Sequence, residues 1–216
     1  MKLTDLHNHT TFSYDGSNSC EEIIENAISK GIDVVGICDH QFSLGNKLGI
    51  YIDKVNECKE KYKNYIDVRC GLEIGCRPAP HDLIKPDRLP LDYCLFESLD
   101  SPENALDFFE FLEWSRFFKI PKGFAHTDIF LLSKKYGIDI LKIMKENNYF
   151  WEINTSGNYN YYYDFITNSE KQKIISESGI TVSIGSDTHW TVQYNISKIK
   201  SAHELINKLK NPIIFS

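Results

Sequence analysis

Leu3-Thr4-Asp5-Leu6-His7-Asn8-His9-Thr10-Thr11-Phe12-Ser13-Tyr14-Asp15-Gly16 opens the chain with two histidines one residue apart and a carboxylate six residues later. In an extended segment, residues i and i+2 project from the same face, so His7 and His9 can converge on one ion. Neutral imidazole is the commonest side-chain metal ligand, and Asp15 brings a hard anionic oxygen from the loop beyond. Taken alone the motif is weak, because two histidines at a strand end can simply cap a sheet. A matching segment near the other end of the chain, Gly185-Ser186-Asp187-Thr188-His189, raises its weight.

Outward from that stretch, residues 3–7 read as a first strand. Ser19 with Glu22 makes a capping box ahead of Ile23, Ile24, Ala27 and Ile28 at helical spacing, and Lys30-Gly31 closes that helix. Residues 33–38 are a β-branched apolar run, the mark of a buried parallel strand, and end in Asp39-His40. A helix is expected over 50–62 and a third strand over 66–74, carrying Gly71-Leu72-Glu73-Ile74. A loop over 76–90 holds four of the seven prolines, and a short strand follows at 92–96. Ser101-Pro102 opens a helix to Phe118, with Pro102 suited to its first turn. Strand ends at 123–126 and 150–154 flank a helix over 139–147. A tyrosine-rich loop (Tyr159, Tyr161, Tyr162, Tyr163), a helix over 168–178, a strand over 181–184 and a helix over 199–209 complete the chain. Seven strands alternating with helices predict a parallel α/β fold. Without a repeat, linker or composition break, residues 1–216 are expected to form a single domain.

The 216 residues suit one α/β barrel, which commonly takes about 200–250. A net charge of −6 and a pI near 5.6 argue against a broad basic surface for nucleic acid. No run reaches the roughly 18 apolar residues of a membrane span, and the early first strand leaves no room for a leader. The six cysteines are scattered without a Cys-x-x-Cys pair, which suits reduced thiols and a cytoplasmic location.

Five of the seven histidines (7, 9, 40, 126, 189) fall just after predicted strands. In a barrel of this kind the C-terminal strand ends converge on one face and carry the active site. His7, His9, Asp15, His40, Glu73, His126, Asp187 and His189 exceed what one tetrahedral ion needs, so two or three divalent ions are expected. Imidazole and carboxylate without thiolate suit zinc, manganese or iron. Ions about 3.5–4 Å apart hold a hydroxide between them and neutralise phosphate oxygens. This donor set points to hydrolysis of a phosphoester by a metal-bound hydroxide.

Together, Asp5-Leu6-His7-Asn8-His9, Cys38-Asp39-His40, Gly71-Leu72-Glu73-Ile74, Ala125-His126, Glu152-Ile153-Asn154 and Gly185-Ser186-Asp187-Thr188-His189 resemble the PHP (polymerase and histidinol phosphatase) superfamily, in order along nearly the whole chain. The resemblance implies a distorted (β/α)7 TIM-like barrel with a trinuclear metal site. It implies that His7, His9, Glu73 and Asp187 hold one ion. Glu73 would bridge to a second that also takes His126, and Asp15, His40 and His189 would hold the third. One position departs from the pattern. Asp100, in Ser98-Leu99-Asp100, stands where family members usually carry a histidine, and as a ligand it would favour a harder ion such as manganese.

Catalytic work is thus expected of Glu73, Asp187 and His189, and substrate contact of Arg77, His81 and Asn154. Lys85, Arg88 and Arg116 are further cations of the kind that hold phosphate. His203, beside Glu204, reads as a surface residue, and the tyrosines at 159–163 as a substrate wall or a loop packing its own rings. The function expected is hydrolysis of a small phosphomonoester, with a small-molecule partner and neither nucleic acid nor membrane. The alternatives are a nucleotide phosphodiesterase or exonuclease of the same superfamily, and a non-catalytic module stapled by its metals.

Overall fold

The run Val34-Val35-Gly36-Ile37 forms strand β2 (Val34–Ile37), buried along its whole length, as a strand covered on both faces must be. In this computed structural model, which describes residues 2–76, 90–100 and 107–216, β2 lies between β1 (Thr4–Asp5) and β3 (Asp67–Cys70). A second sheet runs in the order β4 (Glu73–Gly75), β5 (Cys94–Glu97), β6 (Lys122–Phe124), β7 (Tyr149–Asn154) and β8 (Val182–Gly185). Every pairing is parallel.

β3 and β4 are two pieces of the single strand expected over 66–74. The break falls at Gly71-Leu72, where the buried ring of Tyr93 packs so closely that a Cβ on Gly71 would lie 2.3 Å from it. The bond from Glu73 N to Asp39 O (3.0 Å) carries the hydrogen-bonded succession from the β2 segment across to β4. Bonds from Leu6 N to Ile184 O (2.9 Å) and from His9 N to Thr188 O (2.8 Å) carry it from β8 back to β1. The parallel α/β fold expected from the alternation, and the distorted barrel that the resemblance implies, are therefore present, the distortion falling at the third strand.

Helix α1 (Cys20–Lys30) starts at Ser19 with both halves of the expected capping box in place and stops at Gly31, φ 75°. A short α2 (Gln41–Leu44) precedes α3 (Leu48–Tyr62). α4 (Phe108–Ser115) is shorter than expected; its proposed start at Ser101-Pro102 lies outside the described residues. α5 (Ile129–Tyr136) was not predicted, although Asp128 caps it through the N–H groups of Phe130 and Leu131 and Gly137 ends it. α6 (Ile140–Glu146) follows. The tyrosine stretch, expected as a loop, is helix α7 (Asn160–Thr167), which buries Tyr161, Tyr162 and Phe165 along one face. α8 (Ser169–Ser178) and α9 (Ile196–Leu209) complete the described helices. None of these is long and apolar enough to cross a membrane.

His203 is not on the surface. It is fully buried on α9 beside Ile199, Ala202 and Ile206, and its Nε2 accepts the backbone N–H of Thr4 at 3.0 Å. Burial pulls its pKa down, so it serves β1 as a neutral acceptor. The 199/202/203/206 spacing is the apolar stripe of the helix, and it outranks the polarity of one residue.

Candidate metal centre

All strands run in parallel, so their C-terminal ends share one face, and the chain stations chemistry at each end. His7 and His9 follow β1 and His40 follows β2. Glu73 opens β4, Glu97 closes β5, His126 follows β6, and Asp187 and His189 follow β8. His126 (φ 28°) and Asp187 (φ 54°) both sit in the left-handed region. Such strain in a non-glycine residue of a fold collects at functional sites.

Three groups of donors converge. His7, His9 and Asp187 form the first, all buried; His9, Asp15, His40 and His189 form the second; His40, Glu73 and Glu97 form the third. Within each group the donor atoms lie within 4.8 Å of one another. The individual separations decide what the groups suit. His9 Nε2 is 3.3 Å from Asp187 Oδ1 and 3.5 Å from Glu73 Oε2, and His7 Nε2 is 3.3 Å from Glu73 Oε2. His40 Nε2 is 3.6 Å from Asp15 Oδ2 and His189 Nε2 is 3.1 Å from it. Two donors each about 2.1 Å from a tetrahedral ion stand about 3.4 Å apart. His7 Nε2, His9 Nε2, His40 Nδ1, Glu73 Oε2 and Asp15 Oδ1 are buried without a hydrogen-bond partner. Leaving one such group unpaired costs about 1–3 kcal/mol, so five gathered in one place fit donors arranged for cations.

The far side of three of these rings is held. His7 Nδ1 donates to Glu152 Oε1 at 2.6 Å, and His9 Nδ1 donates to Ser13 Oγ at 3.2 Å. His189 Nδ1 donates to the carbonyl of Asp187 at 3.0 Å. Each bond puts the proton on Nδ1 and leaves the Nε2 lone pair facing the carboxylates. Ser13 is itself fixed by Asp39, which accepts Ser13 Oγ at 2.6 Å and the N–H groups of Thr10 and Ser13. Asn154 is buried, its amide donating to Glu152 Oε2 (3.2 Å) and Asp187 Oδ2 (3.3 Å). Expected as a substrate contact, it stands beside the donors, where its amide orients a carboxylate.

The electrostatics follow from burial opposed by close charge. Burial alone would strip His7 of its proton, but Glu152, Glu73 and Asp187 outweigh it and hold its pKa well above the ordinary imidazole value. His40 is pushed up to about 10 and His126 to about 9, against burial, by their contacts with carboxylates, Glu73 foremost. At His9 burial wins and the pKa falls. Burial would raise both carboxylates, yet His7 and the other rings hold Glu73 well below the usual range and push Asp187 down as well. The metal-free cluster thus sets the anions against the protonated rings of His7, His40 and His126, with His9 held neutral among them.

Asp100 does not join it. Its Oδ2 accepts the N–H of Asp128 at 2.9 Å, at the start of α5, and Glu97, three residues earlier, points into the cluster instead. Ser98, between them, has φ 65°, which turns the chain so that a strand-end ligand and a residue beyond the turn face different ways. Arg77, His81, Lys85 and Arg88 lie outside the described residues. Arg116 pairs with Glu113 at 2.7 Å and shares a groove with Pro121 and Lys122, at the opposite end of β6 from His126. Of the tyrosines, Tyr159 stacks on His126 (4.4 Å between centroids, 5° between planes). Tyr161 is spent inside, donating to Glu152 O and accepting Asn154 N–H.

Sequence reasoning missed Glu97 and Glu152. Glu97 stands at a strand end like the other donors, and that signal was available. Glu152 carried no signal beyond its place in the Glu-Ile-Asn run. Its Oε1 accepts from His7, while Oε2 accepts the N–H of His126 (2.7 Å) and the amide of Asn154. Glutamine at 152 would turn an N–H₂ toward one of these donors. Glu152→Gln is therefore expected to weaken divalent-metal binding about 10–100-fold, as losses of such supporting carboxylates do. A metal titration followed by calorimetry checks this, and an unchanged isotherm would refute the role.

A family model for the PHP domain matches residues 5–141. A relative from Thermotoga maritima, named as a histidinol-phosphatase, is 27% identical over 216 residues, spanning 87% of this chain and 84% of its own length. Among solved structures, the histidinol phosphate phosphatase of Lactococcus lactis, crystallised with zinc, L-histidinol and phosphate, superposes with a TM-score of 0.71 at 19% identity, over 98% of this chain and 95% of its own. A Listeria monocytogenes protein named for the same activity gives 0.63 at 18%, over 89% and 97%. At such identities the structural matches speak for the fold. The family model covers well over half of the chain, including the residues of β1, β2, β4, β5 and β6 that supply most of the donors, so the chain belongs to the PHP domain family.

Proposed function

We propose that this chain is a metal-dependent phosphatase that hydrolyses a small phosphomonoester, histidinol phosphate being the first substrate to try, at a site holding two or three divalent ions. The observation that carries the reading is the convergence of three donor groups at ion-sharing distances on the face where barrel enzymes work. His7, His9, Glu73 and Asp187 would hold one ion, and Asp15, His40 and His189 another. Glu73 would bridge toward His126, whose Nε2 is 2.9 Å from Glu73 Oε1. Bound cations of this kind supply Lewis acidity toward phosphate oxygens and activate water near neutral pH.

The chain's own groups do the rest. Glu73 and Asp187 stay ionised and set the charge of the site, while Glu152 and Asn154 keep His7 and Asp187 from turning. The site opens at one side, where the side chains of His189 and Asp15 are 32% and 29% exposed. An open rim favours an enzyme over a metal staple, because structural sites are closed. Phe42 stacks on His40 at 4.8 Å, and Tyr14, Phe42 and Trp190 are exposed nearby in sequence, an aromatic border suited to a planar leaving group. Arg77 and His81, which follow β4 in sequence, are the proposed phosphate contacts.

Protein stripped with a chelator and reloaded with manganese or zinc is expected to hydrolyse histidinol phosphate and a generic aryl phosphate. A chelator should stop turnover and added metal should restore it. Higher kcat/KM on a short oligonucleotide than on any phosphomonoester would move the assignment to the phosphodiesterase branch. Bound metal without turnover on any phosphoester would refute the reading.

A further inference from the structure

We propose that Glu97, rather than Asp100, is the contribution of β5 to the metal centre, forming with Glu73 and His40 an oxygen-rich subsite for a hard divalent cation such as manganese. This rests on the reading of the chain as a metal-dependent enzyme. Glu97 Oε1 lies 3.7 Å from His40 Nδ1, which in turn lies 2.8 Å from Glu73 Oε2. Glu73 is fully buried, and neither its Oε2 nor His40 Nδ1 has a hydrogen-bond partner, so both donors aim into the space that Glu97 borders.

Gly75 is the register partner of Glu97 across β4 and β5, which sets Glu97 beside the short strand that Glu73 opens. The other ring nitrogen of His40 faces Asp15 Oδ2 at 3.6 Å; a neutral imidazole carries one lone pair, so the ring ligates in one of its two donor groups at a time, and through Nδ1 it serves this subsite. Two carboxylates and one imidazole offer harder donors than a site built on several histidines, and such sets suit manganese better than zinc.

The test compares wild type, Glu97→Gln and Asp100→Asn. Each is stripped of metal, checked for fold by circular dichroism and melting, and titrated with Mn²⁺ by equilibrium dialysis with electron paramagnetic resonance of the free ion. Glu97→Gln is expected to bind one fewer Mn²⁺, or to bind one class of ion at least about 10-fold more weakly. Asp100→Asn, which keeps an acceptor for the Asp128 N–H, should match wild type. Glu97→His keeps a donor and should recover the ion with its preference moved from manganese toward zinc; it carries the comparison if Glu97→Gln does not fold. Equal stoichiometry and affinity in Glu97→Gln and wild type, or loss of the ion in Asp100→Asn alone, would overturn the assignment while leaving the enzyme intact. Wild type that binds neither Mn²⁺ nor Zn²⁺ would overturn the phosphatase reading as well.

Discussion

Replacing Glu73 with glutamine is expected to lower phosphomonoester turnover by about a thousandfold or more, since in the proposed centre it would bridge two ions that supply several kcal/mol of stabilisation, and each 1.36 kcal/mol is tenfold in rate. One carboxylate meets four rings here. Oε2 lies 3.3 Å from His7, 3.5 Å from His9 and 2.8 Å from His40, and Oε1 lies 2.9 Å from His126. An amide cannot face all of them, because its nitrogen must point at one. Metal analysis should show at least one ion lost per chain, and full metal content with unchanged turnover would refute the central role of Glu73.

The same residue sets a pH signature in the metal-free protein. His40 and His126 hold protons to about 10 and about 9 when folded, against about 6.5 unfolded. Their contribution to stability is complete below pH ~6.5 and is lost as pH rises through the folded values. Glu73 acts oppositely: its depressed pKa contributes above pH ~4.3 and the contribution is lost on acidification. Metal-free wild type should therefore melt highest between pH ~4.5 and ~6.5 and weaken toward pH 9, a decline that Glu73→Gln flattens. Metal affinity should run the other way and rise with pH, because the rings must shed protons to ligate.

Gly185→Ala should also be damaging, although it replaces no charged group. A Cβ at 185 would stand 2.3 Å from Glu152 Oε1 and 2.6 Å from the Cβ of His7. Neither neighbour can yield cheaply: His7 is fully buried, and Glu152 already accepts from His7, His126 and Asn154. Overpacking of this kind costs about 1–3 kcal/mol, and each kcal/mol lowers Tm by about 2–4 °C in a chain of this size. Displacing His7 by about 1 Å would add a loss of about 100-fold in activity. A variant with wild-type Tm and turnover would show that β8 can move aside.

Much of the candidate metal centre was legible from local sequence, because strand ends are marked by apolar runs and candidate ligands by residue type. His7, His9, His40, Glu73, His126, Asp187 and His189 could be placed at one rim on those two signals. Short helices escaped notice: α5 depends on the cap at Asp128, and α7 on burial of three aromatic residues. His203 was misjudged because its partner, Thr4, lies 199 residues away.

By itself the sequence determined the alternation of strands and helices, the capping box at Ser19 and the kinds of atom gathered at the strand ends, since each depends on neighbours within a few residues. Only the tertiary structure decided that Glu97 turns in while Asp100 accepts the N–H of Asp128, that Glu152 fixes His7, and that Gly185 must stay bare. Those outcomes depend on one left-handed residue at Ser98 and on contacts between β1, β7 and β8. Such contacts exist only once distant segments are packed together, so no local pattern of residues encodes them.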